Sequence, residues 1–296
     1  MKRLLKWIGC IVGGLVAIVV AFIAVVYVIT STQMGRTYPT EVQAVVIPAD
    51  SAAIERGHHL VLAVGKCGNC HSDNMAGKLA ADNLLFARLA STNLTRGKGG
   101  VGATFSDADY VRSIRYGVRR DGKPVIFMPS EAFNNFSDSD LGAIIAYIKT
   151  MPPVDATYPP PRIGPIARAL SLMADFPLIP AAKIDRTTSR AAPVEVGVTK
   201  EYGNYLMKAG GCMSCHNPNL SGGAKIEGVP AANLTPTGIG KWSEADFIKV
   251  LRMGVRPDGR ILSAVMPWPY TRNLTGDEIR AMWMYVQTLS PRPTGG

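Results

Sequence analysis

The chain has 296 residues, and its 32 lysines and arginines exceed its 22 aspartates and glutamates, giving a formal net charge of +10. A length near 300 residues predicts about two domains. The cations are not interleaved with aromatic residues, and most lie in a part of the chain predicted below to be exported. Nucleic acid is therefore excluded as a partner.

The first segment of the chain is an apolar run. Residues 8–29 carry no charge, and as a helix these 22 residues suffice to cross the hydrocarbon core of a membrane. Cations precede the run, and no charge follows it until Arg36. The positive-inside rule then places the N-terminus in the cytoplasm and the chain after Thr30 on the outer side. The preceding cations are Lys2, Arg3 and Lys6.

This run has two interpretations, a retained membrane anchor and a cleaved signal peptide. A signal peptide has a shorter apolar region followed by a small-x-small cleavage site. Here the run ends in residues 27–33, Tyr-Val-Ile-Thr-Ser-Thr-Gln, which offer no such site. We therefore expect residues 1–30 to form a cytoplasmic N-terminus and a single-pass anchor in the cytoplasmic membrane. Residues 31–50 are then a linker, and the rest of the chain is periplasmic.

Two copies of Cys-x-x-Cys-His follow, 145 residues apart, at residues 67–71 and 212–216. This spacing is typical of covalent haem attachment. The two thiols bond the vinyl groups of one porphyrin, and the adjacent histidine is the proximal ligand of the iron. The motifs predict a dihaem cytochrome c with two covalently attached haem c groups. The expected attachment and proximal residues are Cys67, Cys70 and His71 in the first motif and Cys212, Cys215 and His216 in the second.

A zinc site or a redox dithiol is the alternative for a single Cys-x-x-Cys, and the duplication with histidine disfavours it. Four of the five cysteines lie in the motifs, so no pair is left for a disulfide. Bis-histidine ligation of both irons would require His58 and His59, the only other histidines. They lie 12 to 13 residues before His71, a poor position for the opposite haem face, so we expect solvent-facing or supporting roles for both.

An internal repeat predicts the domain boundaries. Residues 105–122 match residues 242–259 without a gap, and residues 135–150 match residues 273–288. We therefore expect a first domain at 51–155 and a second at 198–296.

Each copy is predicted to be helical. A helix leads into each haem motif, one at 55–64 and one at 198–209. A second begins after Ser106 or Ser243 with acidic residues in its first turn. A last helix follows Ser137 or Thr275 and stops before the proline at position 152 or 291. No alternating strand pattern is present. The predicted fold is all-α: an N-terminal transmembrane helix followed by two domains, each wrapped around one haem.

Residues 156–197 join the two predicted domains. Proline-rich segments at 158–162 and 191–193 are typical of stiff linkers. Between them, residues 163–176 have the pattern of a short amphipathic helix. A mobile tether and a strap lying across the domains or on the membrane surface both remain open.

The distal iron ligands are sought downstream of each motif, because methionine on the far face is common in electron-transfer haems. Met128-Pro129 and Met266-Pro267 fill corresponding places in the repeat, six and seven residues after the matched Asp-Gly turns. We predict Met128 and Met266 as distal ligands, with ordinary core packing as the alternative. Arg115 and Arg252 also correspond, and each either pairs with a haem propionate or faces solvent.

Four short motifs follow one another in the segment 233–270: Asn-Leu-Thr-Pro, Gly-Ile-Gly-x-Trp-Ser, Leu-Arg-x-Gly-Val-Arg-Pro-Asp-Gly and Met-Pro-Trp-Pro-Tyr. With these motifs the segment resembles the cytochrome c subunits of bacterial membrane-bound alcohol, aldehyde and gluconate dehydrogenases. A weaker copy lies in the first domain. The resemblance implies class I cytochrome c domains with His/Met iron and electron transfer from a dehydrogenase to quinone or a terminal oxidase. Those subunits commonly carry three haem motifs and a C-terminal membrane attachment, unlike this chain.

The sequence therefore predicts an electron carrier at the periplasmic face of the membrane with no substrate chemistry of its own. Its expected partners are a dehydrogenase or other electron donor, and a soluble cytochrome, quinone or terminal oxidase. One alternative is the dihaem subunit of a haem–copper oxidase. Another is a dihaem peroxidase or thiosulfate-oxidising enzyme, which two matched methionines argue against because such an enzyme needs an open iron position.

Overall fold

The computed structural model describes residues 2–173, 178–186, 193–226 and 228–296. Helix α1, Lys2–Gly35, is the predicted apolar segment. At 1.5 Å per residue it is about 50 Å long, and its side chains are exposed around nearly the whole helix. It is the one helix in the described part of the chain that is long and apolar enough to span a membrane.

The two copies of the repeat fold into corresponding helices. The first copy, residues 51–155, contains helices α2 Ser51–His59, α3 Gly68–His71, α4 Asp107–Tyr116, α5 Ser130–Phe133 and α6 Asp138–Thr150. A π-helical turn, Leu60–Val64, extends α2 toward the haem motif. Helix α7, Pro165–Met173, lies between the copies. The second copy, residues 198–296, contains α8 Lys200–Ala209, α9 Cys212–His216, α10 Pro236–Ile239, α11 Glu244–Met253, α12 Trp268–Thr271 and α13 Gly276–Gln287.

The ends of the matched helices α4 and α11 follow from local sequence. Ser106 and Ser243 form capping boxes with the aspartate three residues later, which satisfies free backbone donors of the first turn. Each helix ends at a glycine in the left-handed conformation, Gly117 and Gly254.

The first and last helices of each copy cross at a glycine. A Cβ atom on Gly57 would lie 2.0 Å from the Ala143 carbonyl oxygen, and one on Gly203 would lie 2.0 Å from the Ala281 carbonyl oxygen. Only glycine allows this backbone approach. The crossings bring α2 onto α6 and α8 onto α13, and they hold the frame from which each haem motif starts.

The expectation of an all-α fold is correct for the core but incomplete, because the described residues include short strands. Strands β1 Leu79–Asp82, β2 Ala87–Ala90 and β3 Arg162–Ile163 form one antiparallel sheet, and β4 Lys225–Ile226 pairs with β5 Val229–Pro230. Strands of two to four residues are too short to show alternation in a sequence. The β1–β2 turn is built by Asn83, whose Oδ1 accepts hydrogen bonds from the Leu85 and Phe86 amides.

The described parts of the segment 156–197 pack on the first copy. Strand β3 pairs with β2, and α7 packs against α1. Beyond the undescribed residues 174–177, the Leu178 carbonyl accepts a hydrogen bond from the Phe127 amide, next to Met128. Leu178 and Ala181 are buried in the core. The described parts of the segment therefore lie against the first copy and α1, and the strap and the tether both stay predictions for residues 156–197. The predicted proline signal at 191–193 lies mainly outside the described residues.

The buried core is continuous across both copies. It joins Leu60 and Ile145 of the first copy to Leu206 and Ile279 of the second. Helix α5 packs on α8, and α12 packs on the π-helical turn. The segment after each Met-Pro therefore touches the helix that leads into the other copy's haem motif.

Candidate haem-binding sites

Each haem motif lies at the end of a helix that turns sharply. In the first, Lys66 has a positive φ of 52° and the chain then turns into α3. In the second, Gly211 takes the left-handed conformation immediately before α9. The four motif cysteines form no disulfide. They are Cys67, Cys70, Cys212 and Cys215.

Both predicted proximal histidines are held in the same way. The Nδ1 atom of His71 lies 2.9 Å from the Thr92 carbonyl oxygen, and that of His216 lies 2.7 Å from the Ala232 carbonyl oxygen. A carbonyl acceptor fixes Nδ1 as the protonated nitrogen, which leaves the Nε2 lone pair for a metal. Burial lowers the pKa of both imidazoles, opposed by these hydrogen bonds, so both rings are neutral and competent to ligate.

The backbone after each histidine repeats as well. Ser72 and Asn217 have φ values of 61° and 66°. The Gly77 amide donates to the His71 carbonyl, and the Gly222 amide donates to the His216 carbonyl, both at 2.9 Å. A Cβ atom on Gly222 would lie 2.4 Å from the Ala232 carbonyl oxygen, so glycine is required for the histidine's acceptor to approach.

The donor groups of each motif fit covalent haem better than a zinc site. Burial raises the pKa of Cys67 to about 12 and also raises that of Cys70, Cys212 and Cys215. The unreacted thiols are therefore protonated at neutral pH. Within the described residues, no group of three or more His, Cys, Asp or Glu side chains is placed to hold a metal ion. Two thiols beside one available imidazole nitrogen fit covalent haem.

Met128 and Met266 occupy equivalent backbone positions. Each is followed by a proline that caps a one-turn helix, with φ values of −76° and −77°. The Ser130 amide donates to the Met128 carbonyl and the Trp268 amide to the Met266 carbonyl, both at 2.7 Å. Both methionines are partly buried against the core. Their ligation of iron stays a prediction.

The two matched arginines bind neighbouring backbone. Arg115 is buried and donates to the Asp138 carboxylate at 2.6 Å and to the Phe136 carbonyl at 2.8 Å. Arg252 donates to the Arg272 carbonyl. Both side chains thus contact the loop that follows each Met-Pro segment. Their pairing with haem propionates stays a prediction.

The recurring Asn-Leu-Thr is a structural clamp. The Asn93 amide donates to the Val154 carbonyl at 2.8 Å, and its Oδ1 accepts from the Thr95 amide and hydroxyl. In the second copy, Asn233 and Thr235 make the same bonds, with the Arg292 carbonyl as acceptor. The clamp ties the segment beyond the histidine's carbonyl acceptor to the chain that follows the last helix.

Lys66 joins the two haem motifs. Its ammonium donates to the Val64 carbonyl at 2.7 Å and to the Gly210 carbonyl, two residues before Cys212, at 2.6 Å. Desolvation lowers its pKa, opposed by the nearby thiols of Cys212, Cys67 and Cys215. The two attachment segments are therefore adjacent. Sequence reasoning missed this contact because Lys66 has no counterpart in the second copy.

A second polar cluster links α2 and α6 of the first copy to α8 and α13 of the second. The Arg56 guanidinium makes two 3.0 Å hydrogen bonds to the Asp140 carboxylate and one of 3.2 Å to the Tyr202 hydroxyl. Tyr202 donates in turn to Glu278 at 3.2 Å. Tyr205 completes the cluster by donating to Asp140 at 2.6 Å.

His59 belongs to this cluster. The sequence predicts that it faces solvent or has a supporting role. Its Nε2 lies 2.8 Å from a Glu278 carboxylate oxygen. Glu278 is almost fully buried, and desolvation, which would raise its pKa, is outweighed by His59 and its other donors, so the pKa is lowered. His58 is more exposed and stacks on the Tyr147 ring at 4.9 Å. Neither histidine belongs to a Cys-x-x-Cys-His segment.

These features define a class of protein. Helical units that each present two cysteines outside any disulfide and one backbone-held imidazole are those of a c-type cytochrome. The family model described as "Cytochrome c" matches residues 201–290, and that described as "Cytochrome C oxidase, cbb3-type, subunit III" matches residues 52–148. The chain is a cytochrome c, and its haem is haem c, bound covalently.

Its relatives include cytochrome subunits of dehydrogenases. The chain is 30% identical over 244 residues to the fructose dehydrogenase cytochrome subunit of Gluconobacter japonicus, which covers 74% of this chain and 48% of that protein. It is 26% identical over 287 residues to the alcohol dehydrogenase (quinone) cytochrome c subunit of Gluconobacter oxydans, covering 83% of this chain and 57% of that protein. It is 33% identical over 96 residues to the gluconate 2-dehydrogenase cytochrome c subunit of Pantoea cypripedii, covering 28% of this chain and 21% of that protein.

The resemblance to alcohol and gluconate dehydrogenase cytochrome c subunits is thereby confirmed. The chain spans about half the length of the first two of these relatives.

Proposed function

We propose that this cytochrome c carries two haem c groups and relays electrons from a dehydrogenase at the periplasmic face of the cytoplasmic membrane. The observation that carries the proposal is the duplicated site: two imidazoles, each with Nδ1 held by a backbone carbonyl, beside two cysteines that form no disulfide. The homology to dehydrogenase cytochrome subunits supports a carrier role.

Each residue has a defined task in this proposal. Cys67, Cys70, Cys212 and Cys215 would hold the porphyrins as thioethers, and Nε2 of His71 and of His216 would ligate the irons. Met128 and Met266 would supply the distal thioethers. Haem c supplies a one-electron carrier whose potential a methionine ligand raises.

The contacts between the copies support passage of electrons within one chain. Lys66 hydrogen-bonds the backbone just before the second motif, and the Arg56–Glu278 cluster fixes the helices that lead into both motifs. These residues hold the two attachment segments adjacent without a flexible joint. The copy that contacts the dehydrogenase would receive the electron first, and the other copy would pass it to the acceptor.

The anchor is retained in this proposal, and contacts of α1 support it. Arg168 of α7 donates to the Thr30 and Ser31 hydroxyls at 2.7 and 3.0 Å, and its guanidinium lies 4.4 Å from the centre of the Tyr27 ring. Val26 and Thr30 are buried by the rest of the chain. A segment removed by a signal peptidase would not be expected to pack against the mature domain.

Haem stoichiometry tests the proposal first. A pyridine haemochrome assay of the purified chain should give two haems, and the C215A variant should give one. Reduced protein should be oxidised rapidly by a soluble cytochrome or oxidase and show negligible peroxidase or thiosulfate-oxidising activity. One haem per wild-type chain would contradict the proposal of two haem groups. Substantial turnover with either substrate would contradict the proposed role as an electron carrier.

The electron donor is tested by co-purification. The proposal requires that a dehydrogenase catalytic subunit remains with the full chain after extraction in a mild detergent, and that its substrate reduces both haems. Isolation with a haem–copper oxidase core alone would support the oxidase-subunit alternative instead.

A further inference from the structure

The first copy is joined to the outer end of α1 through β3 and α7 of the segment 156–197. Besides its contacts to Tyr27 and Thr30, Arg168 donates from Nε to the Ile163 carbonyl at 3.0 Å, which ties α1 to β3 and α7. The apolar run ends at Ile29, so in a membrane these contacts lie at the level of the outer interface. These contacts hold the first copy close to the membrane surface.

Exposed apolar side chains surround this junction. On α7, Ile166, Leu170 and Met173 follow the spacing i, i+4, i+7 and lie on one face, with Met173 73% exposed. At the tip of the β1–β2 turn, Leu84 and Leu85 are 68% and 58% exposed. The Ile166 amide donates to the Leu85 carbonyl at 3.0 Å, so the turn and the helix are neighbours. We call these five side chains the platform.

A cationic cavity opens beside the platform. Its volume is about 540 Å³, and Tyr27 and Met34 of α1 and Leu84 of the platform line it. Three arginines also line it, and no carboxylate does among the described residues. Arg119 has a partner in Asp121 at 2.8 Å, and Arg162 is exposed at the start of β3. The arginines are Arg119, Arg162 and Arg168.

This combination matches a membrane surface. An amphipathic helix with an exposed apolar face beside an anchor is expected to lie in the interface, with its cations at the level of the lipid phosphates. A protein partner could cover the platform equally well. The continuity of the platform with α1 and the positive cavity at its edge favour lipid.

We propose that the platform inserts into the outer leaflet and that the cavity binds the phosphate headgroup of an anionic phospholipid. The proposal rests on the retained anchor of the proposed function. It places the first copy on the membrane. The cavity wall includes Ile126, so the headgroup lies near the segment that carries Met128.

Depth measurements on the full-length holoprotein test the platform. A C10A chain with L84C is spin-labelled in nanodiscs, and the collision rates of the label with oxygen and with a water-soluble nickel chelate are compared. We expect the label at position 84 to collide more often with oxygen than with the nickel chelate, as a label at V16C within the anchor should. I261C, at an exposed apolar position in the second copy, is the matched control and should favour nickel.

The outcomes separate the two proposals. If the Leu84 site favours nickel while the Val16 site favours oxygen, the anchor stands and the platform is refuted. If the Val16 site also favours nickel, the proposed anchor itself is wrong. If the Leu84 site favours oxygen only when a dehydrogenase subunit co-purifies, a protein covers the platform and the lipid proposal fails.

Lipid selectivity tests the cavity. Protein released from nanodiscs of equal phosphatidylglycerol and phosphatidylcholine should retain phosphatidylglycerol in native mass spectra. R162Q should reduce the retained amount several-fold, whereas R260Q, which removes an exposed arginine of the second copy, should not. Equal retention by wild type and R162Q, or displacement of the lipid by millimolar inorganic phosphate alone, would overturn headgroup binding.

Discussion

Replacing Glu278 with glutamine tests the polar cluster between the two copies. The carboxylate accepts from His59 Nε2 at 2.8 Å, from the Tyr202 hydroxyl at 3.2 Å and from the Thr275 amide at 2.9 Å. Its side chain is 4% exposed. Glutamine keeps the shape and one acceptor oxygen but removes the charge and places an amide donor against donors.

The expected cost follows from these contacts. A hydrogen bond to a charged group contributes about 1.5–3 kcal/mol. His59 and Arg56 are both partly exposed, so water compensates some of the loss. Arg56 also keeps Asp140 as a partner. We expect E278Q to lower the free energy of unfolding by about 2 kcal/mol, and hence the Tm by roughly 4–8 °C for both copies unfolding as one unit.

The matched control is E244Q. Glu244 pairs with Arg280 at 3.3 Å, but both side chains are about half exposed, and such pairs contribute about 0–1 kcal/mol. Unfolding of the holoprotein in detergent is followed by circular dichroism and haem absorbance. Equal, small effects of E278Q and E244Q would refute the view that the cluster holds the copies together.

The pH dependence adds a signature that mere misfolding would not produce. The pKa of Glu278 is lowered from its ordinary value of 4.5, so the unfolded chain binds this proton more readily than the folded one. The carboxylate's contribution is therefore present above the unfolded pKa and is lost as pH falls through the folded pKa. The difference between wild type and E278Q should be full at pH 6 and should shrink below pH 4.5.

Three further predictions concern the iron ligands, the helix crossings and the anchor. M266A should remove about half of the far-red methionine–iron band of the ferric protein and lower the potential of that haem, whereas M253A, at an exposed position, should change neither. G57A should destabilise the protein by about 1–3 kcal/mol or more through its contact with the opposing helix; G276A, with open space around its Cβ, should stay within about 0.5 kcal/mol in the same unfolding assay. Intact mass of the mature protein should include residues 1–30, and a chain that starts after residue 30 would contradict the anchor.

Much of the local structure could be predicted because its causes lie within a few residues. Ser106 and Ser243 cap their helices through the aspartate three positions on. The short strands could not be predicted, because the β1–β2 pair depends on the turn at Asn83 and β3 comes from far along the chain. The hydrogen-bond partners of Arg115 and Arg252 could not be predicted, because these acceptors lie 20 to 23 residues away in a loop whose position only the fold sets.

The sequence by itself determined the chemistry of this protein: two thiols and an imidazole at the spacing that covalent haem requires, twice, behind a helix long enough to span a membrane. The tertiary structure decided how those groups are held. The carbonyl that orients His71 is 21 residues away, the one that binds Lys66 is 144 away, and the carboxylate that binds His59 is 219 away. No local pattern encodes such pairs, because each depends on packing that brings groups distant in sequence within 3 Å.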